Sequence, residues 1–284
     1  MDINDLHHTD VTPKPAYHNA NSLIRLFFVV IFFMIIVGVA GSILLFILKT
    51  CGLKSPLVKS LVKLIAYIFA LLISLKYAIR KSKEQEGEYF NINFDKVPKW
   101  LFPVLISCTV ALFFVMLVPA AGLINLIPKP VAAQKLFAKT HTKDMFSIIT
   151  LVIAAPILEE ILCRGIVLRG LLKSYPPHKA IVISAIFFAA IHINPWQAFP
   201  AFFGGLFIGW VYYKTQSVIP GMVIHATINA TVSAFLFLPS YTSNSLNSLG
   251  IPYYIILWLL AALIFSMGCI LIQKKILFAP ESTV

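Results

Sequence analysis

Charged residues are scarce in this chain, since Asp, Glu, Lys and Arg together make up only 12% of its 284 residues. It has four cysteines, at positions 51, 108, 163 and 269, and no CxxC pair. This spacing excludes a disulfide framework and a cysteine-rich metal site. The chain also lacks an HExxH zinc helix, a GxSG-type serine and any aspartate inside an apolar stretch. These absences exclude the zinc-helix, serine and aspartyl-dyad routes to peptide hydrolysis.

Apolar residues dominate the composition instead. They account for 59% of the chain, with a mean hydropathy of +0.88, whereas soluble domains are about 45–50% apolar. A helix needs about 20 apolar residues to cross the hydrocarbon core. The sequence therefore predicts an all-α, polytopic helical membrane protein with about eight transmembrane helices, at 22–48, 56–79, 101–127, 146–171, 179–193, 197–213, 217–238 and 252–273. The fifth and sixth stretches are short, and Asn194-Pro195 is expected to break the chain between them.

The excess of basic residues indicates orientation in a membrane rather than binding to nucleic acid. The net charge of +12 comes from Lys and Arg that cluster at the ends of the apolar stretches. That distribution predicts the lipid bilayer as partner, no nucleic-acid binding, and an N-in, C-in topology. The compact size and short loops favour a bacterial cytoplasmic membrane. Residues 81–100 are predicted to form the largest solvated polar loop.

Only a few ionisable side chains fall inside the apolar stretches. Glu159 and Glu160 are the only acids within them, His192 and His225 are the only histidines, and Arg164 is the one arginine well inside. Ionisable groups at membrane depth are costly, so their grouping predicts one shared functional site. Glu160 and Arg164 are four residues apart and can pair on one helix face, whereas Glu159 points elsewhere.

Two further pairs of residues are spaced so that their side chains share a helix face. His225 and Asn229 share a helix face, and Phe188 and His192 do the same just before the predicted break. Each imidazole alone could be a hydrogen-bonded packing residue, but the whole set is harder to explain without a function. Cys163 lies one turn from Glu159 and is expected to fill space as a small hydrophobe.

These residues carry a resemblance to a known family. EEILCR, FAAIH and HATIN resemble the EExxxR, FxxxH and HxxxN motifs of the CPBP family, in the family's order, over roughly residues 145–235. That family contains type II CAAX prenyl endopeptidases and bacteriocin-processing or self-immunity proteins. The resemblance implies an intramembrane endopeptidase in which Glu159, assisted by His192, activates a water molecule. It also implies that His225 and Asn229 stabilise the oxyanion, with Glu160 and Arg164 as supporting residues.

The composition, the apolar stretches and the resemblance together divide the chain into four predicted parts. Residues 1–20 are predicted to be a disordered tail, 21–127 the N-terminal transmembrane helices, 128–240 the catalytic core, and 241–284 the last transmembrane helix and tail. The substrate is expected to be a CAAX-type peptide, a pheromone or bacteriocin precursor, or another membrane protein. A non-catalytic immunity or scaffold protein of the same fold, and a proton-coupled transporter, remain alternative functions. The sequence does not predict an oligomeric state.

Members of the family that the chain resembles are often called metalloproteases, so the resemblance leans toward a divalent metal such as zinc. Glu159, His192 and His225 could supply three ligands and leave a position for water. If Glu159 were a ligand, however, no free acid would remain as the base, because Glu160 is assigned to Arg164. Ligating histidines also need outer acceptors, and the sequence offers only Asn229, backbone and water for this purpose. We therefore expect Glu159 to act as the base and any metal to be held weakly by His192 and His225.

Overall fold

The computed structural model describes residues 14–87, 90–125, 144–237 and 250–276. In these ranges the chain forms eight helices and no strand, which confirms the all-α prediction. The helices are α1 (Ala20–Thr50), α2 (Pro56–Glu86), α3 (Leu101–Asn125), α4 (Met145–Leu172), α5 (Pro177–Ala190), α6 (Pro195–Thr215), α7 (Val218–Phe237) and α8 (Gly250–Lys275). The predicted boundaries at 127/128 and 240/241 lie outside the described residues.

Four of the eight helices are long and apolar enough to cross a membrane, judged by length and composition. They are α1, α2, α4 and the 255–275 part of α8. The outward faces of α1 and α8 expose large apolar side chains such as Phe28, Phe32 and Leu259. Apolar faces of this extent are stable against lipid rather than water, so they indicate an integral membrane protein.

Helix α2 is longer than the sequence analysis predicts. It runs to Glu86, and its last turns carry exposed ion pairs from Arg80 and Lys81 to Glu84. The predicted solvated loop of 81–100 is therefore wrong over its first six residues. Hydropathy alone ends the helix at the first cluster of charges, whereas i,i+3 and i,i+4 pairs support its continuation.

Glu86, at the end of α2, is buried in a second cluster of charges. Its carboxylate accepts two hydrogen bonds from Arg169 of α4, at 3.2 and 2.9 Å, and lies 3.4 Å from Nζ of Lys173. The Arg169 guanidinium also stacks over the Phe90 ring, 5.0 Å from its centroid. Nearly all buried ionisable side chains were predicted to lie in one site, and this cluster is a second group of buried charges outside it. The bidentate pair joins the end of α2 to α4.

Part of the predicted N-terminal tail is packed. Ala16 and Tyr17 are buried, and a Cβ at Gly170 of α4 would lie 2.9 Å from the carbonyl oxygen of Tyr17. The chain from 15 to 17 therefore docks on α4 before α1 begins, with Asn19 as N-cap. Residues 1–13 lie outside the described residues.

Helix α4 is the central element and carries the glutamates. Asp144 caps its N-terminus by accepting from the amide of Ser147 at 3.1 Å. Its sides pack against α2, α5, α6 and α7. Two segments of it, Thr150–Ala154 and Ile161–Leu168, adopt π-helical geometry. Such widened turns leave carbonyl groups without a partner in the helix, and they are frequent at functional sites.

The predicted break between the fifth and sixth helices is present. Helix α5 ends at Ala190, and Asn194 caps α6 by accepting from the amide of Trp196 at 3.1 Å. Between them, Ile193 has a φ of 58°, a left-handed conformation that is unusual for a β-branched residue. This turn redirects the chain from the end of α5, where His192 lies, into α6.

Candidate active site

Glu160 is the centre of a buried polar cluster. Its Oε1 atom accepts hydrogen bonds from the Arg164 guanidinium and from Nδ1 of His225, each at 3.0 Å. Glu160 and Arg164 are fully buried, and Arg164 also donates to the Gly205 carbonyl at 3.0 Å. A buried charge persists only where opposite charges and hydrogen bonds compensate it. The predicted Glu160–Arg164 pair is thus present, and it includes His225 as a third member.

Glu159 points away from this pair, toward α2 and α7. Its Oε1 atom accepts a hydrogen bond from the hydroxyl of Tyr67 at 2.5 Å. Its Oε2 atom is buried without a hydrogen-bond partner and lies 4.0 Å from Nε2 of His225. One oxygen of the carboxylate is therefore held, and the other is buried and unpaired beside the His225 ring.

His192 reaches the site from the end of α5. Its Nδ1 atom lies 2.8 Å from the carbonyl oxygen of Phe188. A carbonyl can only accept, so Nδ1 carries the hydrogen and Nε2 of the neutral ring presents a lone pair. The Phe188 ring stands edge-on to both imidazoles, with centroid distances of 5.0 Å to His192 and 5.4 Å to His225. Phe188 also lies under the Arg164 guanidinium, 4.6 Å away, so it joins the two imidazoles to the buried ion pair.

Asn229 is held by a carbonyl that the π-helical turn leaves free. In that turn the amide of Ala155 donates to the Thr150 carbonyl, five residues earlier. The next amide in this register would belong to Pro156, which has no N–H. The Leu151 carbonyl is therefore left without a helical donor, and it accepts from Nδ2 of Asn229 at 2.7 Å. This bond fixes the carboxamide and leaves the second Nδ2 hydrogen for another acceptor.

A cavity of about 290 Å³ lies beside these groups. His192, His225 and Asn229 line it, together with Gln197 and apolar side chains. The structure therefore brings both predicted histidines and the predicted asparagine to one cavity, with Glu159 next to His225. His225, rather than His192, is the imidazole that lies near Glu159.

Sequence reasoning missed three contributions to this site. Tyr67 lies in α2, far from the motifs, and a tyrosine within an apolar helix is a weak signal. The Gly205 carbonyl acts through its backbone, which no side-chain pattern reveals. The role of Leu151 depends on the π-helical register, although Pro156 in the sequence is a visible hint of it.

The candidate metal ligands can be tested against this geometry. His192 and His225 both have an acceptor for Nδ1, as metal-bound imidazoles require, and for His225 it is Glu160. The expectation that Glu160 is committed to Arg164 alone is therefore wrong. Within the described ranges, however, no three His, Cys, Asp or Glu side chains are arranged to hold a metal ion. The residues do not fit a three-ligand centre, and we derive no step through a metal.

Replacing Cys163 should leave the chemistry intact. The side chain is fully buried among apolar groups, and only its backbone carbonyl is used, by the Ser184 hydroxyl at 3.2 Å. We expect Cys163→Ala to retain cleavage and to lose about 1 kcal/mol of stability for the small cavity. Initial rates and a thermal melt would measure both. Complete loss of cleavage in a normally folded variant would point to a thiol mechanism.

Gly221 of α7 provides a test of the space around Glu160. A Cβ at this position would lie 2.9 Å from Oε2 of Glu160 and 2.9 Å from Cγ2 of Ile208. We expect Gly221→Ala to displace the carboxylate, to cost about 1–3 kcal/mol of stability and to reduce activity. The control is Gly38→Ala in α1, where nothing lies within 4 Å. Equal melting temperatures for the two variants would contradict this packing.

Comparisons with known proteins show a similarity to one family over the segment that contains the site. Residues 141–231 match the family model described as "Type II CAAX prenyl endopeptidase Rce1-like". This segment contains Glu159, Glu160, His192, His225 and Asn229. Neither the curated proteins nor the solved structures provide a match. Over residues 141–231 the chain is therefore similar to the type II CAAX prenyl endopeptidases, which agrees with the resemblance to the CPBP family that its three motifs carry.

Proposed function

We propose that this chain is an intramembrane endopeptidase in which Glu159 activates a water molecule for attack on a peptide bond. The observation that carries the proposal is the state of the Glu159 carboxylate. One oxygen is fixed by Tyr67, while the other is buried, unpaired and 4.0 Å from the His225 ring. The adjoining cavity, lined by two imidazoles and a carboxamide, has room for a peptide segment and water.

The proposed reaction divides its steps among these groups. Glu159 removes a proton from water, and the oxygen attacks the scissile carbonyl carbon. Nε2 of neutral His192, whose hydrogen lies on Nδ1, can accept from the same water and orient it. The tetrahedral intermediate then breaks its C–N bond, and the proton held by Glu159 passes to the leaving amine. The products are a new carboxylate and a new amine.

Stabilisation of the oxyanion requires hydrogen-bond donors. Asn229 retains one Nδ2 hydrogen beyond its bond to the Leu151 carbonyl. His225 gives its Nδ1 hydrogen to Glu160, so it can donate from Nε2 only when it is protonated. Donors of this kind are each worth about 3–4 kcal/mol in other hydrolases.

Chelators should not abolish the activity. The expectation follows from the proposed role of Glu159 as the base, and from the finding that no three His, Cys, Asp or Glu side chains in the described part of the chain are arranged to hold a metal ion. The measurement is a chelator titration of cleavage beside elemental analysis of the purified protein. A stoichiometric metal that disappears together with activity, and in both His192→Ala and His225→Ala, would show a true metal centre.

The test of the proposed function does not require the substrate to be known. Membranes from cells that express the wild type or Glu159→Gln would be compared by peptidomics, with new N-termini as the readout. Hydrolysis predicts a set of N-termini that depends on the wild type. The proposal also expects an N-in, C-in protein of a bacterial cytoplasmic membrane, with a CAAX-type peptide, a pheromone or bacteriocin precursor, or a membrane protein as substrate.

The same comparison separates the alternatives. An immunity or scaffold protein of this fold would produce no difference in N-termini, and its biological effect would survive Glu159→Gln. A proton-coupled transporter would instead accumulate labelled peptide in vesicles without cutting it.

A further inference from the structure

Tyr67 lies outside the segment that matches the family model, yet it contacts the carboxylate at the centre of the site. It belongs to α2, and its hydroxyl donates to Oε1 of Glu159 at 2.5 Å. The family match begins at residue 141, so the three motifs contain nothing that anticipates this contact.

The contact makes the two oxygens of Glu159 different. Oε1 is occupied by the Tyr67 hydroxyl, and Oε2 is left free near His225. A glutamate side chain has three rotatable bonds, and an unrestrained carboxylate could turn either oxygen to the cavity or swing away from it. A short hydrogen bond from a half-buried hydroxyl on a neighbouring helix restricts that motion.

We propose that Tyr67 is a positioning residue, which holds Glu159 so that Oε2 alone receives the proton from the attacking water. This inference rests on the proposed function. It gives α2, outside the matched segment, a defined part in the reaction. Tyr67 does not exchange protons with the substrate in this account, because its hydroxyl faces Glu159.

The alternative is that Tyr67 has a structural role only and does not position Glu159 for the reaction. Tyrosine hydroxyls in apolar surroundings need a partner, and Glu159 could serve Tyr67 rather than the reverse. In that case the loss of the hydroxyl would affect folding and leave turnover per folded molecule unchanged.

The test is the kinetics of Tyr67→Phe, with Tyr77→Phe in the same helix as the matched control. The probe is a quenched fluorescent peptide that carries the first cleavage site found by peptidomics, with the proteins reconstituted in lipid nanodiscs. We expect kcat to fall roughly ten- to a hundredfold in Tyr67→Phe, as for the loss of a hydrogen bond to a charged group. KM should stay within about twofold, because uniform binding is unaffected. Tyr77→Phe should match the wild type in both constants, and an unchanged kcat in folded Tyr67→Phe would overturn the inference.

A second measurement separates failure of this inference from failure of the proposed function. Melting temperatures are compared for Tyr67→Phe, Glu159→Leu and the double variant, which needs no activity. If the hydrogen bond exists, the double variant loses less stability than the two single changes added together. Coupling in the melt without any cleavage by the wild type would contradict the proposed function alone. Additive shifts in melting temperature would show that Tyr67 and Glu159 do not interact, and would contradict the positioning role.

Discussion

Glu159→Gln is expected to abolish cleavage and to leave the protein folded. Glutamine keeps the volume of the side chain and can still accept from Tyr67 through its carbonyl oxygen, but it cannot take a proton from water. General bases contribute about 10²–10⁴-fold to enzymatic rates, so the rate should drop by at least about a hundredfold. Initial rates in nanodiscs and a thermal melt measure the two parts of this expectation.

The control for this prediction is Tyr77→Phe, which removes a hydroxyl from α2 outside the site. It should keep the wild-type rate and melting temperature. A well-folded Glu159→Gln protein that cleaves like the wild type would show that another group acts as the base.

Glu160→Gln, unlike Glu159→Gln, is expected to cause a large loss of stability. Glu160 compensates fully buried Arg164 and also accepts from His225. Breaking such a pair leaves an uncompensated buried charge, which costs about 3–5 kcal/mol. We expect lower yield, a lower melting temperature and lower activity, since His225 loses the acceptor that orients it.

The double variant Glu160→Gln, Arg164→Met tests the cause of that loss. Methionine fills much of the arginine volume without its charge, so part of the stability should return. The His225 orientation would still be impaired, and activity should stay low. Additive melting shifts in this double-mutant cycle would show that the pair does not contribute to stability.

The sequence predicted the site better than the architecture around it. Glu160 and Arg164 are one turn apart, so local helix geometry was enough to pair them. The convergence of His192, His225 and Asn229 on one cavity also follows from their rarity in apolar helices and from the family motifs. The Asn194-Pro195 break was visible because the proline has no N–H and Asn is a favoured N-cap.

The remaining features depend on contacts between elements distant in sequence. Nothing in α2 indicates that Tyr67 meets Glu159, or that Glu86 is buried against Arg169, because each partner lies more than 80 residues away. The hydropathy pattern predicted that the charged residues at the end of α2 are exposed to solvent, whereas one of them, Glu86, forms a buried ion pair with Arg169. The bond from Asn229 to the Leu151 carbonyl required a π-helical register that composition does not encode.

Activation of water by Glu159 is tested most directly by a single-turnover cleavage in H₂¹⁸O with excess purified protein. If Glu159 activates water, the new C-terminal carboxylate of the product carries one ¹⁸O, and Glu159 retains both of its original oxygens. Mass spectrometry of the product and of the protein's own peptide around Glu159 reads both positions. Incorporation of ¹⁸O into Glu159 would instead show a covalent acyl intermediate on this side chain and would contradict the account.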